Sequence, residues 1–296
     1  MTTLINTPNG NIGRALAEQL LDAGEPLVLI QRSPEKVADL AARGARVVAG
    51  STDDPAVLAR AFEGVGRLFW LTPPVYQPDF VAWAERTARA AVDAAKQHGV
   101  RRAVLLSSVG AHSERVGPVN ALARVEAVFR AALEDGVFDE VVALRPAFFM
   151  ENLLRDLGTI GDHGAFYAPL GEDTKIPMVA TRDIAATAAE ELRRAPGEGW
   201  RVRGVHGPAD LSHREVAETL SRVLEREVRF VSVPEEAARK SMGEAGMPGF
   251  VTEMFLEMYE GIREGRMSPQ TPRSAETTTP TDLATFAREV LRPALG

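Results

Sequence analysis

The sequence predicts an α/β fold, a doubly wound parallel sheet of Rossmann-like type followed by a smaller C-terminal region. Three observations carry this. Short, nearly uniformly apolar runs alternate with helix-period patterns through the first half of the chain. Each run ends in turn residues, as strands buried on both faces do. The rhythm then changes after Arg145-Pro146.

The elements follow in order. An apolar start at Leu4 and Ile5 runs into the turn "NTPNGNIG", and Ile12, Leu16 and Leu20 share one helical face up to a stop at Gly24. Residues 27–30, 46–49, 68–71, 103–107 and 141–144 read as strands. Between them, Val37, Leu40 and Ala41, then Leu58 and Phe62, then the stretch 80–98 repeat at helical spacing. Alternating β and α segments of these lengths build a parallel sheet with helical crossovers.

Beyond Pro146, residues 156–175 are rich in Gly, Asp and Pro and read as a long loop. A helix is expected over 182–194 and a strand over 202–206. Ser212 with Glu215 three residues on has the form of a capping box opening a helix through about Leu224. Residues 228–233 are strand-like, and Pro234 can begin another helix. Phe250, Met254, Met258 and Ile262 form a stripe at helical spacing, read as core or subunit contact. Residues 267–281 are a Pro/Thr/Ser-rich connector before an amphipathic segment at 283–291. The expected division is a dinucleotide-binding domain over 1–155, to which 176–207 returns. Residues 156–175 and 208–296 then make a substrate-side or cap region.

Composition bounds the function. With 296 residues, 45% hydrophobic and 25% charged, the chain is that of an ordinary globular protein with a substantial core. A net charge of −7 argues against general nucleic-acid binding, which needs a basic surface. Charges interrupt every hydrophobic stretch, so no membrane span is expected. The absence of cysteine removes disulfides, thiolate nucleophiles and cysteine metal sites. A cytoplasmic protein is the simplest reading, and no His spacing suggests a metal.

The turn at the first strand is the chemical centre of the sequence. A strand that runs through glycines into a helix aims backbone N–H groups and the positive helix end at one spot, which suits a pyrophosphate. Gly10 would let the phosphates approach, Asn11 and Ile12 would offer amides, and Gly13 would let the helix pack on its strand. The first glycine of a G-x-x-G-x-x-G spacing is replaced by Thr7, and Pro8 after it has no N–H to offer. Thr7 also lacks glycine's freedom at positive φ. At the end of the second strand, NAD-selective sites carry an acid for the ribose 2′-OH. This chain has Gln31-Arg32 there, with Lys36 a turn later. Arg32 suits a 2′-phosphate, so NADP(H) is the expected cofactor.

Several segments extend the pattern: "NGNIG", "LIQRSPEKV", "STDDPAVLARAFEGV", "AAKQHGVRRAVLLSSVGA" and "LRPAFFMENL", and toward the end "LSHREVAETLSRVLEREVRFVSVPEEA", "MFLEMYEGIREG" and "DLATFAREV". Together they resemble the NmrA-like branch of the atypical short-chain dehydrogenase/reductases, which includes type 2 NADPH:quinone reductases and ergot-alkaloid-type reductases. The resemblance covers nearly the whole chain. It implies cofactor contacts at Thr7, Asn9, Gly10, Asn11, Ile12 and Gly13, at Arg32 and Lys36, and near the adenine at Asp53 or Asp54. Leu71, Thr72 and Pro73 would lie along the nicotinamide half. Ser107, Ser108 and the stretch from Phe148 to Asn152 would stand beside the reacting end. Many short-chain reductases use a Tyr acid and a Lys four residues later. Counted back from Glu126, those positions fall on Pro118 and Leu122, so reduction here would dispense with the pair.

Hydride transfer to a quinone or enone needs the acceptor positioned and its developing oxyanion stabilised, with the proton supplied by solvent. Candidate polar groups are Ser108, His112, Asn152, His163 and Tyr167. Phe148, Phe149, Met150, Phe166 and Met254 would line an apolar pocket for a small hydrophobic substrate. Each lone His is also explained as structural, and Ser107 and Ser108 as groups satisfying a strand end. Three functions remain open: an NADPH-dependent reductase of a quinone, enone or carbonyl; a cofactor-independent isomerase, cyclase or hydratase on the same fold; and a non-catalytic NADP(H) sensor acting on a protein partner. A homodimer is compatible with all three.

Overall fold

The computed structural model describes residues 1–295. Twelve strands run in chain order: β1 (Thr3–Ile5), β2 (Leu27–Gln31), β3 (Arg46–Ala49), β4 (Arg67–Leu71), β5 (Arg102–Leu106), β6 (Glu140–Pro146), β7 (Phe148–Phe149), β8 (Ala165–Ala168), β9 (Lys175–Val179), β10 (Gly199–Val205), β11 (Asp210–Ser212) and β12 (Arg229–Ser232). Ten helices accompany them: α1 (Asn11–Asp22), α2 (Ala38–Ala42), α3 (Pro55–Phe62), α4 (Phe80–His98), α5 (Val119–Glu134), α6 (Leu157–His163), α7 (Thr181–Arg193), α8 (His213–Leu224), α9 (Glu235–Glu244) and α10 (Gly249–Arg263). Short helical turns over 283–295 close the described chain.

Seven strands form one sheet in the order β10-β6-β5-β4-β1-β2-β3. The five pairings from β6 through to β3 are all parallel. Strands β5 and β6 are buried along their whole length, which is why their centres, 103–106 and 141–144, read as unbroken apolar runs. Strand order reverses between β1 and β4, and this topological switch point is where open α/β sheets bind ligands. The expected doubly wound fold is present.

Two compact units divide the chain. The first contains Met1–Ser108, Asn120–Arg145 and Ile184–Arg203. The second contains Val109–Val119, Pro146–Asp183 and the chain from Gly204 onward. Its core gathers Met150, Ile160, Phe166, Met178, Leu220 and Phe286, among others. Two small sheets, β11-β9-β7 and β12-β8, lie in it.

The expected long loop at 156–175 is not one. It contains α6 and β8, the latter paired in parallel with β12. Buried Ile160 and Phe166 anchor the two elements. Gly164, at φ 59°, turns the chain between them, so the glycine that suggested a loop is a helix terminator. The Met/Phe stripe is also placed differently. Phe250, Met254, Met258 and Ile262 are half-buried, and the fully buried face of α10 is Val251, Thr252, Leu256 and Gly261. Small and β-branched residues pack closely there, a face that a search for large apolar side chains passes over. The capping box is as expected. Ser212 Oγ accepts from Glu215 N at 3.1 Å, and Glu215 Oε2 accepts from Ser212 N at 2.7 Å.

Candidate functional site

In the first unit, the two ends of the sheet differ in chemistry. The amino ends of β4 and β5 carry buried Arg67 and Arg102, met by Glu25 and by Glu140 respectively. Their guanidinium groups also donate to the carbonyls at the end of α7, Arg102 to Glu191 O at 2.5 Å and to Arg194 O at 2.9 Å. That edge is closed by its own ion pairs. The carboxyl ends present Asn6, Thr7, Thr72 and Ser107 instead.

Asn6 holds the exit of β1. Its Nδ2 donates to Leu71 O at 2.8 Å, and its Oδ1 accepts from Leu71 N at 2.9 Å, extending the β1–β4 ladder by one side chain. Beyond it, the turn does not need the conformational freedom that Thr7 lacks. The non-glycine residues with positive φ are Arg115 and Glu225, so Thr7 sits in ordinary backbone space. Gly13 is a packing glycine: a Cβ there would stand 2.0 Å from Thr7 O. Gly10 is extended, φ −82° and ψ 162°, and a Cβ on it would meet nothing in the chain nearer than Thr7 O at 3.8 Å. No side chain caps the first turn of α1, and no acid lies in it. The opening amides of the helix therefore have no side-chain partner, and the room above Gly10 suits an anion. Thr7 Oγ1 and Thr72 Oγ1, both buried, find no partner within the chain. The support for a ligand here is the uncapped first turn of α1 and the free space above Gly10. The residues present thus fit a dinucleotide.

Arg32 and Lys36 are exposed, one just past the end of β2 and the other in the short 3₁₀ turn Pro34–Val37. The structure separates the two acids offered for the adenine. Asp54 caps α3, accepting from Ala56 N at 2.8 Å. Asp53 accepts from the Trp83 indole N–H at 3.1 Å. Hydrogen bonds from Ser51 first and Trp83 second hold the Asp53 carboxyl below its usual range, with the Arg32 charge adding to them.

Ser107 directly follows β5 and is buried in a cluster that sequence spacing did not reveal. Its Oγ donates to Glu126 Oε1 at 2.5 Å. Arg145 Nε donates to the same oxygen at 2.9 Å, and an Arg145 terminal N–H to Glu126 Oε2 at 2.6 Å. The Ser107 proton is therefore committed to a carboxylate, and the hydroxyl has only lone pairs to offer a ligand. Ser108 beside it is half-buried.

In the second unit, Phe148 and Phe149 are half-buried in β7, whereas Met150 and Phe166 are core residues. Glu151 fixes the segment that carries Asn152. Its carboxylate accepts from Thr181 N at 2.9 Å and from Thr181 Oγ1 at 2.6 Å. Asn152 is half-buried, His112 and His163 are exposed, and Tyr167 is exposed on β8. These candidates sit on four separate elements. Met254 lines a groove of about 530 Å³ with Arg115, Phe250 and four glutamates. Asp156 and Tyr259 were not anticipated at all. Burial pushes the Asp156 carboxyl up to about 6, against a smaller opposing pull from Arg155. The Tyr259 hydroxyl is raised by burial first and by the Asp156 charge second. A carboxyl titrating near neutrality can take up and release a proton at working pH. Among the described residues, no group of three or more His, Asp or Glu could hold a metal ion.

The family model for the NmrA-like family matches residues 2–286. The chain belongs to the NmrA-like family. An NAD(P)H azoreductase from Xenophilus azovorans is 35% identical over 250 residues, covering 84% of this chain and 83% of that one. A (4-alkanoyl-5-oxo-2,5-dihydrofuran-3-yl)methyl phosphate reductase from Streptomyces griseus is 34% identical, covering 93% and 92%. Among solved structures, the NADPH-dependent quinone oxidoreductase of Escherichia coli complexed with NADPH has a TM-score of 0.83 at 23% identity. It covers 98% of this chain and 100% of that one, a likeness of fold. No helix of this NmrA-like chain is long and apolar enough to cross a membrane, among the described residues.

The raised Asp156 value has a measurable consequence. An acid whose folded value lies above its ordinary 3.8 binds its proton more tightly when folded. The stability linked to that proton is complete below the unfolded value and is lost as pH rises through about 6. Asp156→Asn is therefore expected to stabilise the protein by about 1–2 kcal/mol at neutral to mildly alkaline pH. The gain should vanish in acid below 3.8, as urea unfolding across the pH range would show. A gain independent of pH would rule out this origin.

Proposed function

We propose that this NmrA-like protein is an NADPH-dependent oxidoreductase that reduces a small hydrophobic quinone, enone or carbonyl. The observation that carries the reading is the pair of exposed cations, Arg32 and Lys36, just past the end of β2, whose last residue is Gln31 and not an acid. The strand is paired in register with β1, whose exit forms the glycine turn. The names of the azoreductase and quinone-oxidoreductase relatives support the same class.

In this reading the bound nicotinamide supplies a hydride, and the chain's residues do the rest. The Asn11 and Ile12 amides and the positive end of α1 hold the pyrophosphate. Arg32 binds the 2′-phosphate through its planar donor pair, assisted by Lys36. Asp53, fixed by Trp83, would stand on the adenine side as an acceptor. Ser107 would meet the nicotinamide half as an acceptor, since its own proton is held by Glu126. Ser108 is the hydroxyl left to donate to the oxyanion of the acceptor. No Tyr-Lys pair takes part, and the acceptor takes its proton from solvent.

Titration with NADPH and NADH, followed by turnover against a panel of quinones, enones and azo dyes, tests this directly. Arg32→Ala is expected to weaken NADPH about tenfold or more and to leave NADH nearly unchanged. Tight binding without turnover on any acceptor would favour a sensor that acts on a protein partner. Failure to bind either cofactor would favour a cofactor-independent enzyme on this fold.

A further inference from the structure

The 2′-phosphate cations ride on a weak support. The 3₁₀ turn Pro34–Val37 is four residues long, its N-cap Ser33 makes no side-chain cap bond, and Lys36 N bonds only back to Ser33 O at 3.0 Å. Turns of this length hold poorly by themselves. The Val37 end of this one is held by burial in the core, and what ties down its polar side is Arg14, the residue directly after the packing glycine of the phosphate turn. Its guanidinium donates to Lys36 O at 2.9 Å, to Asp39 Oδ2 at 2.7 Å and Oδ1 at 3.2 Å, and to Glu18 Oε1 at 3.2 Å. Its backbone N–H bonds Gly10 O at 2.8 Å, within the first turn of α1. One residue thus joins the pyrophosphate helix to the segment carrying Arg32 and Lys36, across 22 to 25 positions of sequence.

We propose that Arg14, clamped by Asp39, is the positioning residue for NADPH over NADH selectivity. It sets the span between the pyrophosphate amides and the 2′-phosphate cations without touching the phosphate itself. This rests on the NADP(H) assignment above. The terminal guanidinium nitrogens of Arg14 are already spent on three carboxylate oxygens and a carbonyl, so they are not available to a ligand. A planar fork is needed to meet a carboxylate in two places while a third bond reaches a carbonyl, and an ammonium cannot reproduce it. Because Arg14 and Asp39 are 33% and 58% exposed, the pair adds little to global stability and can be altered without unfolding the protein.

The decisive variant is Asp39→Asn. It removes a negative charge beside an anion site, so electrostatics alone predict tighter NADPH binding. The clamp predicts the opposite. Dissociation constants for NADPH and NADH are measured by calorimetry on wild type, Asp39→Asn and Arg14→Lys, with hydrogen exchange of the 33–39 amides in the ligand-free protein. Both variants are expected to weaken NADPH about three- to tenfold while NADH moves less than about twofold. Exchange should rise over 33–39 and not in α1. Tighter NADPH binding by Asp39→Asn, equal weakening of both cofactors, or unchanged selectivity in both variants overturns the clamp. A wild type that binds the two cofactors equally, with Arg32→Ala indifferent, overturns the parent assignment and this proposal together. Wild-type selectivity that survives both clamp variants overturns the clamp alone.

Discussion

Cutting Glu126 back to alanine is expected to cost about 3–5 kcal/mol of stability, the largest loss anticipated for any single side chain here. Glu126 is 5% exposed and Arg145 7% exposed, so the pair was taken out of water at considerable expense. Two bonds from Arg145 and one from Ser107 offset that expense. Removing the carboxylate strips these contacts from a buried cation and releases the Ser107 hydroxyl. Urea unfolding followed by circular dichroism measures the loss. The double change Glu126→Leu with Arg145→Met should recover most of it, because apolar residues of similar volume replace a buried ion pair at little cost. The repaired protein would then carry Ser107 without its acceptor, free to turn its proton elsewhere. If Ser107 serves the nicotinamide half as an acceptor, cofactor affinity stays low in the repaired protein although stability has returned. Full recovery of both would leave Glu126 with a purely structural role.

That cluster also shows where sequence reading reaches its limit. Four of the five β-runs of the first half were legible because a strand buried on both faces cannot hide its composition, while the mostly exposed edge strand β3 was legible by its β-branched Val47 and Val48. The capping box at Ser212 was legible because the bonds join residues three apart. Glu126 and Arg145 lie 19 residues apart on a helix and a strand, and a buried charge is spelled like a solvated one. The two glycines Gly10 and Gly13 were legible as a phosphate turn, but the consequence of Thr7 was not. Residue type suggested a broken turn, whereas the backbone there is ordinary and Asn6 holds the exit by its side chain. Asp156 was invisible for a related reason: its raised value comes from burial, which depends on where α6 lies, and the sequence pattern had read that stretch as loop.

Gly13→Ala and Gly10→Ala should separate the two jobs of the turn. Inside a helix, alanine in place of glycine normally stabilises by about 1 kcal/mol. At Gly13 the sign should reverse, since the methyl would sit 2.0 Å from Thr7 O, 2.8 Å from Thr7 C and 3.3 Å from Pro8 Cα. All three are backbone atoms with no rotamer to yield, so α1 must lift off the turn, at a cost of about 1–3 kcal/mol or more. NADPH affinity should fall at least tenfold with it, because the helix amides move away from the pyrophosphate. Gly10 offers the contrast. Its φ of −82° suits any residue, and its Cβ would find nothing within the chain nearer than 3.8 Å. Gly10→Ala should therefore cost less than about 1 kcal/mol of stability, the difference between glycine and alanine at a helix N-cap. Its methyl would still occupy the space above the amides, so NADPH binding should weaken about as much as in Gly13→Ala. Thermal unfolding and calorimetric titration of the two variants give four numbers, and the pattern is diagnostic. Loss of binding with stability intact at Gly10 means that a ligand, and not the protein, fills that space. Undiminished binding by Gly10→Ala would remove the cofactor from the turn and return the protein to a fold that has kept the shape of a cradle without its use.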